Sequence, residues 1–167
     1  GTAALPRVGW QLDPFGHAST QATHLGSGVG FDAVFLGRAS DGDIDARVRR
    51  RAMEFTWRGS DTLGAAADVK GMILSKYGNY GPPPGHCYDQ ACEDPLWQDE
   101  PSLKDYNVPE MVARFERAAA EQAGWFQGAD ANEKGGRGGD VMFTMGTDFT
   151  YGAAGYWYDQ LDRLVRN

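Results

Sequence analysis

Short apolar runs alternate with stretches of helical periodicity along this chain, and this alternation limits the folds that the chain can adopt. Three runs are typical of β-strands: Pro6–Asp13, Phe31–Gly37 and Asp140–Met145. The second run is almost continuously apolar, as expected of a strand that is buried on both faces. Strands that alternate with helices predict an α/β fold with a parallel sheet.

Apolar residues recur at helical spacing in the stretches between and after these strands. In the first stretch they are four, four and three residues apart, and Asp41 or Asp43 is the predicted N-cap. In the second stretch Pro109 suits the first turn, and Gly124 weakens the last one. The predicted helices are the stretch that carries Ile44, Val48, Ala52 and Phe55, then Pro109–Phe126, then Tyr151–Val165.

Two segments are rich in glycine or proline and are predicted to be loops. Lys76–Glu100 contains both residue types repeatedly, so it cannot hold a long regular element. Gly128–Gly139 contains the run GGRGG. This run lacks the Gly-Lys-Ser/Thr ending of a phosphate-binding loop, so it is interpreted as a connector.

The balance of charges argues against a nucleic-acid partner. The chain has 23 acidic residues against 16 lysines and arginines, and its net charge is −7. Binding to a phosphate backbone depends on clustered cations, and the arginine-rich stretch 47–51 lies among acidic residues. In addition, no apolar run approaches the ~20 residues of a membrane-spanning helix. The sequence therefore predicts neither a nucleic-acid partner nor a membrane span in this chain.

Each predicted strand leads into a charged residue. Asp13 ends the first strand, Arg38 follows the second, and the third leads through Gly146-Thr147 to Asp148. Because the C-terminal ends of parallel strands lie on one rim, we expect these side chains to converge. Two carboxylates at one rim suit glycoside hydrolysis, in which one protonates the leaving oxygen and the other attacks or activates water. The spacing alone is equally compatible with helix caps and turns.

Cys87 and Cys92 are the two cysteines of the chain. They are compatible with a small loop disulfide in an oxidising compartment or with two reduced thiols, and their spacing leaves both open. Two cysteines without other cysteines or a pair of histidines make a poor zinc site.

Several motifs, in order and spread over nearly the whole chain, resemble family 38 of the glycoside hydrolases, the class II α-mannosidases. The most specific motif surrounds Asp13, and the similarity is greatest to the lysosomal or vacuolar branch. The matching segments are Gly9-Trp10-Gln11-Leu12-Asp13-Pro14-Phe15-Gly16-His17, Gly30-Phe31-Asp32, Gly37-Arg38, Met53-Glu54, Trp57-Arg58, Asn79-Tyr80-Gly81-Pro82-Pro83-Pro84-Gly85, Cys87-Tyr88-Asp89 with Cys92, and Met145-Gly146-Thr147-Asp148-Phe149.

The resemblance implies a role for individual residues. Asp13 matches the nucleophile, which is also a ligand of the catalytic zinc ion, and Asp148 matches the general acid/base. Arg38 and Tyr80 match residues that contact the sugar, and His17 has a supporting place in the motif. Cys87 and Cys92 match a disulfide of the family.

The resemblance also implies an architecture. Residues 1–167 would be a fragment of the N-terminal catalytic domain, the central part of an incomplete seven-stranded α/β barrel with parallel strands and flanking helices. The other zinc ligands, a His-x-Asp pair and a further histidine, would lie outside these residues. Since catalytic zinc sites take about three protein ligands, we expect the isolated chain to be inactive.

The implied function is retaining, Zn²⁺-dependent hydrolysis of terminal α-linked mannose in oligosaccharides and glycoprotein glycans. The implied partners are such a glycan and the remainder of the same polypeptide, and the implied location is the lysosome, the vacuole or the exterior of the cell. Two alternatives remain open: a non-catalytic glycan-binding or scaffold protein derived from a mannosidase, and a polysaccharide deacetylase. The second needs a His-x3-His site with an aspartate, and this sequence lacks that motif.

Overall fold

The computed structural model describes residues 5–77, 80–126 and 140–167. The chain divides into two compact units. Unit 1 comprises Gly1–Tyr80 with Gly124–Asp140, and unit 2 comprises Gly81–Ala123 with Val141–Asn167. The predicted connector Gly128–Gly139 lies outside the described residues, and so does Asn79, the first residue of the motif that contains Tyr80.

Unit 1 contains a four-stranded sheet with the strand order β1-β2-β4-β3. Strand β2 pairs with β1 and with β4 in parallel, whereas β3 pairs with β4 antiparallel. Within the described residues this sheet is open rather than closed into a barrel. Its elements are β1 (Val8–Gln11), α1 (Ser19–Thr23), a π-helical turn (His24–Val29), β2 (Ala33–Leu36), α2 (Asp41–Arg50), β3 (Glu54–Arg58), a 3-10 turn (Gly64–Ala67) and β4 (Asp68–Ile73).

The α/β class is confirmed, and the predicted strands Pro6–Asp13 and Phe31–Gly37 contain β1 and β2. The extension of the first helix to Phe55 is wrong, because Arg51 adopts a left-handed conformation (φ 53°) that ends α2. Phe55 instead lies in β3, where the side chains alternate between exposed and half-buried. The helix begins after Ser40, whose hydroxyl accepts a hydrogen bond from the Asp43 amide, so Ser40 rather than Asp41 or Asp43 is the N-cap.

The core of unit 1 lies between the sheet and the helices that cover it. Val34 and Leu36 of β2 and Ile73 of β4 are buried there against Ile44 of α2. Strand β2 has a hydrogen-bonded strand on each side, β1 and β4. Its backbone groups are therefore paired, and its C-terminal end is held in place. The sheet therefore provides a rigid support for the residues that follow β1 and β2.

Unit 2 contains two helices, α3 (Val108–Ala123) and α4 (Ala154–Arg166). The predicted helix Pro109–Phe126 is confirmed except at its end, because α3 ends at Ala123 and the predicted last turn is not helical. The prediction Tyr151–Val165 begins three residues too early, since Tyr151 has a positive φ of 68°. Tyr88, Trp97, Met111 and Trp157 form the buried core of this unit. Cys87 and Cys92 form a disulfide with a Cα–Cα distance of 5.9 Å.

The predicted strand Asp140–Met145 is wrong, because this segment has no regular secondary structure. Side chains, rather than a neighbouring strand, bind its backbone carbonyls. The Gln122 amide donates to the carbonyl of Met142 over 2.8 Å, and the Tyr151 hydroxyl donates to that of Met145. The apolar residues of this segment were therefore mistaken for a strand, and the segment has no strand partner within the described part of unit 2.

No helix among the described residues is both long enough and apolar enough to cross a membrane.

Candidate active site

Asp13 and Arg38 meet at the C-terminal ends of two neighbouring parallel strands. The register aligns Gln11 of β1 with Leu36 of β2, so each charged residue lies two positions beyond an aligned pair. The Arg38 Nε donates a hydrogen bond to Asp13 Oδ1, which makes the contact a charge-assisted ion pair. About half of the Asp13 side chain (48%) remains exposed, so one face of the carboxylate is accessible from solvent.

Gly37 allows this close approach between the two strand ends. Its amide donates to the Gln11 carbonyl over 3.0 Å and so extends the parallel ladder by one bond. A Cβ at this position would lie 2.9 Å from the Leu12 carbonyl carbon and 2.9 Å from Tyr80 Cδ1. Glycine is therefore required here for space, because any side chain would separate the backbone that carries Arg38 from the backbone that carries Asp13.

Two aromatic rings flank the Arg38 guanidinium. Its Cζ lies 4.9 Å from the centre of the Phe15 ring and 6.0 Å from the centre of the Tyr80 ring. Tyr80 is buried, whereas Phe15 is almost fully exposed. The hydrogen bond to Asp13 raises the pKa of Arg38 further above its ordinary value. The guanidinium therefore remains charged and is held between one buried ring, one exposed ring and the carboxylate.

A cavity of about 430 Å³ lies beside this ion pair. Phe15, His17 and Arg38 line one side of it, and Ser40 and Asp41 at the start of α2 line the other. Ring faces next to charged hydrogen-bonding groups are a combination that suits a polyhydroxylated ligand, since the rings contact C–H groups and the charged groups bind hydroxyls.

His17 lies in the loop that follows β1 and contacts the main chain of Arg38. Its Nε2 is 2.7 Å from the Arg38 carbonyl oxygen. The structure therefore brings together Asp13, His17, Arg38 and Tyr80, all within unit 1. Sequence reasoning did not single out Phe15 or Gly37, although both lie inside motifs that surround chosen residues. The available signal was their position, since Gly37 precedes Arg38 and Phe15 lies two residues after Asp13.

Asp148 lies in unit 2, in a turn rather than at the end of a strand. The Thr150 hydroxyl accepts a hydrogen bond from the Thr147 amide and donates one to the Thr147 carbonyl, which closes the turn. Phe149 has a positive φ of 59° and is fully exposed beside Asp148. The convergence of Asp148 with Asp13 stays a prediction.

The described residues do not form a zinc site on their own. They contain no group of three or more His, Cys, Asp or Glu side chains that could hold a metal ion. Asp13 has an exposed carboxylate that could contribute one ligand, whereas a catalytic zinc ion takes about three from protein. The donor set of this part of the chain is thus too small for the ion that the sequence motif implies.

The family model of the glycosyl hydrolases family 38 N-terminal domain matches residues 2–167. A probable alpha-mannosidase of Arabidopsis thaliana is 44% identical over 96% of the chain. The lysosomal alpha-mannosidases of Cavia porcellus and Homo sapiens are 40% and 35% identical over 99% of it.

These relatives are much longer than this chain, which spans about 15% of the length of each. The similarity nevertheless extends along the whole sequence and includes both the Asp13–Arg38 pair and the Asp148 turn, since the match covers residues 2–167. The chain belongs to glycoside hydrolase family 38, as part of its N-terminal domain.

Proposed function

We propose that the protein containing this chain is a retaining α-mannosidase, which removes terminal α-linked mannose from oligosaccharides and N-glycans. The observation that carries the proposal is the accessible Asp13 carboxylate, held by Arg38 at the sheet rim beside a cavity. Relatives at 35–44% identity that are named alpha-mannosidases support the same activity.

In the proposed reaction Asp13 is the nucleophile and Asp148 is the general acid/base. A carboxylate oxygen of Asp13 attacks the anomeric carbon of mannose while the bond to the leaving oxygen breaks, and Asp148 gives that oxygen its proton. Water then displaces Asp13 from the anomeric carbon, and Asp148 takes the proton that the water loses. The two steps together retain the configuration, and they require the two carboxyl groups to lie about 5–5.5 Å apart.

The neighbours of Asp13 have supporting roles in this proposal. Arg38 orients the carboxylate through its Nε hydrogen bond, and the exposed Phe15 ring lines the cavity where a sugar would contact it. Tyr80, which the resemblance also gives a sugar contact, is buried with its ring 6.0 Å from the Arg38 guanidinium. His17 supports the loop that carries Arg38.

The proposed cofactor is Zn²⁺, with Asp13 as one of its ligands and the others supplied by parts of the polypeptide outside these 167 residues. When bound, the ion would orient hydroxyl groups of the substrate as a template. The proposed partner of this chain is accordingly the remainder of the same polypeptide, and the isolated chain is expected to be inactive on an α-mannoside with added Zn²⁺.

We further propose that this chain is the central part of a seven-stranded α/β barrel in the N-terminal catalytic domain, and that the protein acts in the lysosome or vacuole. The parallel strands β1, β2 and β4 support the first statement. The disulfide and the lysosomal relatives support the second, because disulfides persist in oxidising compartments.

Trapping the covalent intermediate tests the proposal. The full-length protein is incubated with a fluorinated mannosyl fluoride, which is attacked quickly but hydrolysed slowly, and its peptides are analysed by mass spectrometry. We expect the sugar on the peptide that contains Asp13 and no labelling of an Asp13→Asn variant. Turnover with inversion of configuration, or a label on another carboxylate, would overturn the assignment. Glycan binding without turnover would instead favour the non-catalytic alternative.

A further inference from the structure

We propose that His17 is a positioning residue that fixes the main chain of Arg38 and thereby holds the Asp13–Arg38 pair in register. This inference rests on the proposed function, since it concerns the same site. It assigns a specific task to His17, through one hydrogen bond that joins the loop after β1 to the loop after β2.

The protonation of the imidazole follows from its partner. His17 Nε2 lies 2.7 Å from the carbonyl oxygen of Arg38, and a carbonyl oxygen can only accept a hydrogen bond. Nε2 must therefore carry the hydrogen and donate it. In the neutral ring this leaves Nδ1 without a proton, so the main chain of Arg38 selects the tautomer of His17.

The orientation of the ring is set by the sheet and not by dense packing. Its plane meets the Trp57 ring of β3 edge-on, with the ring centres 5.9 Å apart. His17 also lines both the 430 Å³ cavity beside Arg38 and a second cavity of about 310 Å³ on the side of Phe55 and Trp57. Because there is space on both sides, the hydrogen bond and the Trp57 contact are what keep the ring in place.

Arg38 is consequently held by the 13–17 segment at three points. Its guanidinium donates to Asp13 and lies 4.9 Å from the Phe15 ring, and its carbonyl accepts from His17. Two of these contacts hold the side chain, but the His17 bond holds the backbone from which that side chain extends. Loss of this bond would allow the loop after β2 to move relative to Asp13.

A displaced Arg38 would leave Asp13 poorly oriented for attack without removing any group that reacts. Misplacement of a reacting group by about 1 Å can cost up to about 10²-fold in rate. The loss should appear in kcat, because the nucleophile is misaligned in the transition state, whereas the aromatic surfaces that contact the sugar remain and KM changes little.

The test compares three variants of the full-length protein. His17→Phe keeps a ring against Trp57 but has no donor, His17→Gln keeps a donor but has no ring, and His24→Gln alters an exposed histidine as the control. We expect His17→Phe to lower kcat by about 10- to 100-fold at nearly unchanged KM, with His17→Gln recovering most of the loss. The same order should appear in the rate of labelling by the fluorinated sugar.

A structural measurement keeps this inference separate from the proposed function. Hydrogen–deuterium exchange of residues 37–41 should become faster in His17→Phe than in His17→Gln, whether or not the label is found on Asp13. Equal exchange and equal kcat in the wild type and His17→Phe would overturn the inference. So would an equal loss in both His17 variants, which would assign the effect to the ring. If His17→Phe fails to fold, His17→Glu replaces it, because an ionised glutamate also lacks a donor. Wild-type kcat and wild-type exchange rates in His17→Glu would then overturn the inference.

Discussion

The two carboxylates that the sequence selects are held by different kinds of structure. Asp13 follows a parallel strand and is paired with a guanidinium that a neighbouring strand supplies. Asp148 lies in a turn that two threonine hydrogen bonds close, next to a fully exposed Phe149. In the proposed reaction the nucleophile must hold one charge state and one position, a demand that suits a sheet rim. The proposed acid/base must give and then take back a proton, and the turn holds it without a strand.

The cores of the two units also differ in the interactions that fix their geometry. The core of unit 1 buries alternate residues of β2, Val34 and Leu36, and its geometry follows from the sheet ladder. In unit 2 the Trp97 Nε1 donates to the Tyr88 hydroxyl over 2.8 Å, and that hydroxyl is 3.0 Å from His86 Nδ1. Side-chain hydrogen bonds therefore specify a region that has little regular structure.

The largest expected effect distinguishes the two carboxylates by their chemistry. In the full-length protein Asp13→Asn should lower kcat by at least about 10⁴-fold on every α-mannoside, because no covalent intermediate forms. Asp148→Asn should lower it by about 10²- to 10⁴-fold on oligosaccharides. With a dinitrophenyl mannoside, whose leaving group needs no proton, Asp148→Asn should still release a rapid burst of dinitrophenol, measured by stopped-flow absorbance.

Asp45→Asn, which changes an exposed aspartate of α2 that does not line the cavity beside Arg38, is the matched control and should retain most activity. If Asp13→Asn released a dinitrophenol burst and Asp148→Asn released none, the two assigned roles would be reversed, and the contrast drawn between the two carboxylates would be wrong.

A smaller expected effect is a loss of stability of unit 2 at low pH. Burial lowers the pKa of His86 to about 4, and the charge of Arg114 acts in the same direction while Asp94 opposes it. In the unfolded chain the His86 imidazole binds a proton near pH 6.5, whereas in the folded chain it does so only near pH 4. Unit 2 should therefore keep its full stability above about pH 6.5 and lose up to about 3 kcal/mol as the pH falls to about 4.

Hydrogen exchange of the α3 amides across this pH range measures the loss. A His86→Asn variant keeps an acceptor for the Tyr88 hydroxyl and does not titrate, so its exchange should depend less on pH, whereas His24→Gln should behave as the wild type. A pH dependence that is unchanged in His86→Asn would refute the assignment to this histidine.

The smallest effect comes from two glycines of unit 1 that lie close together in sequence. Gly37→Ala should destabilise the protein by about 1–3 kcal/mol, since its Cβ would press against Leu12 and Tyr80. Gly42→Ala in α2 meets nothing within 4 Å and should be neutral or stabilising by up to about 1 kcal/mol. Thermal unfolding of the two variants checks the difference, and a Gly37→Ala variant as stable as Gly42→Ala would contradict the close approach of the strand ends.

Strands β1 and β2 could be predicted from the sequence because apolar side chains alternate in the first and run almost continuously in the second, although Val8 and Trp10 of β1 are about half exposed. Strands β3 and β4 could not. The helical spacing of apolar residues in α2 continues to Phe55 of β3, and only three residues separate the two elements. The first of them, Arg51, is left-handed, a conformation that residue type signals mainly at glycine and asparagine. In β4, Gly71 suggests a break, but it provides room for the Phe55 ring, 2.6 Å from where its Cβ would lie.

For the site, the meeting of Asp13 with Arg38 could be anticipated, because parallel strands in register bring their following residues to one rim. The bond between His17 and the Arg38 carbonyl could not, since every residue has a carbonyl and a main-chain acceptor leaves no trace in the sequence. The turn at Asp148 was mistaken for the end of a strand because the apolar run 140–145 resembles one. That run is held by side chains instead, and one of them, Gln122, lies 20 residues away in sequence.

The paired ladder of unit 1 stops at Gln11 and Leu36, and this has a consequence for how such a domain can diversify. Some residues beyond those two positions still pack against the interior, such as Gly37 and Ala39, whereas Phe15, Gly16 and Ala18 are exposed. Substitutions at the exposed positions should cost little folding free energy, so this loop can vary in sequence while the same four strands assemble unchanged.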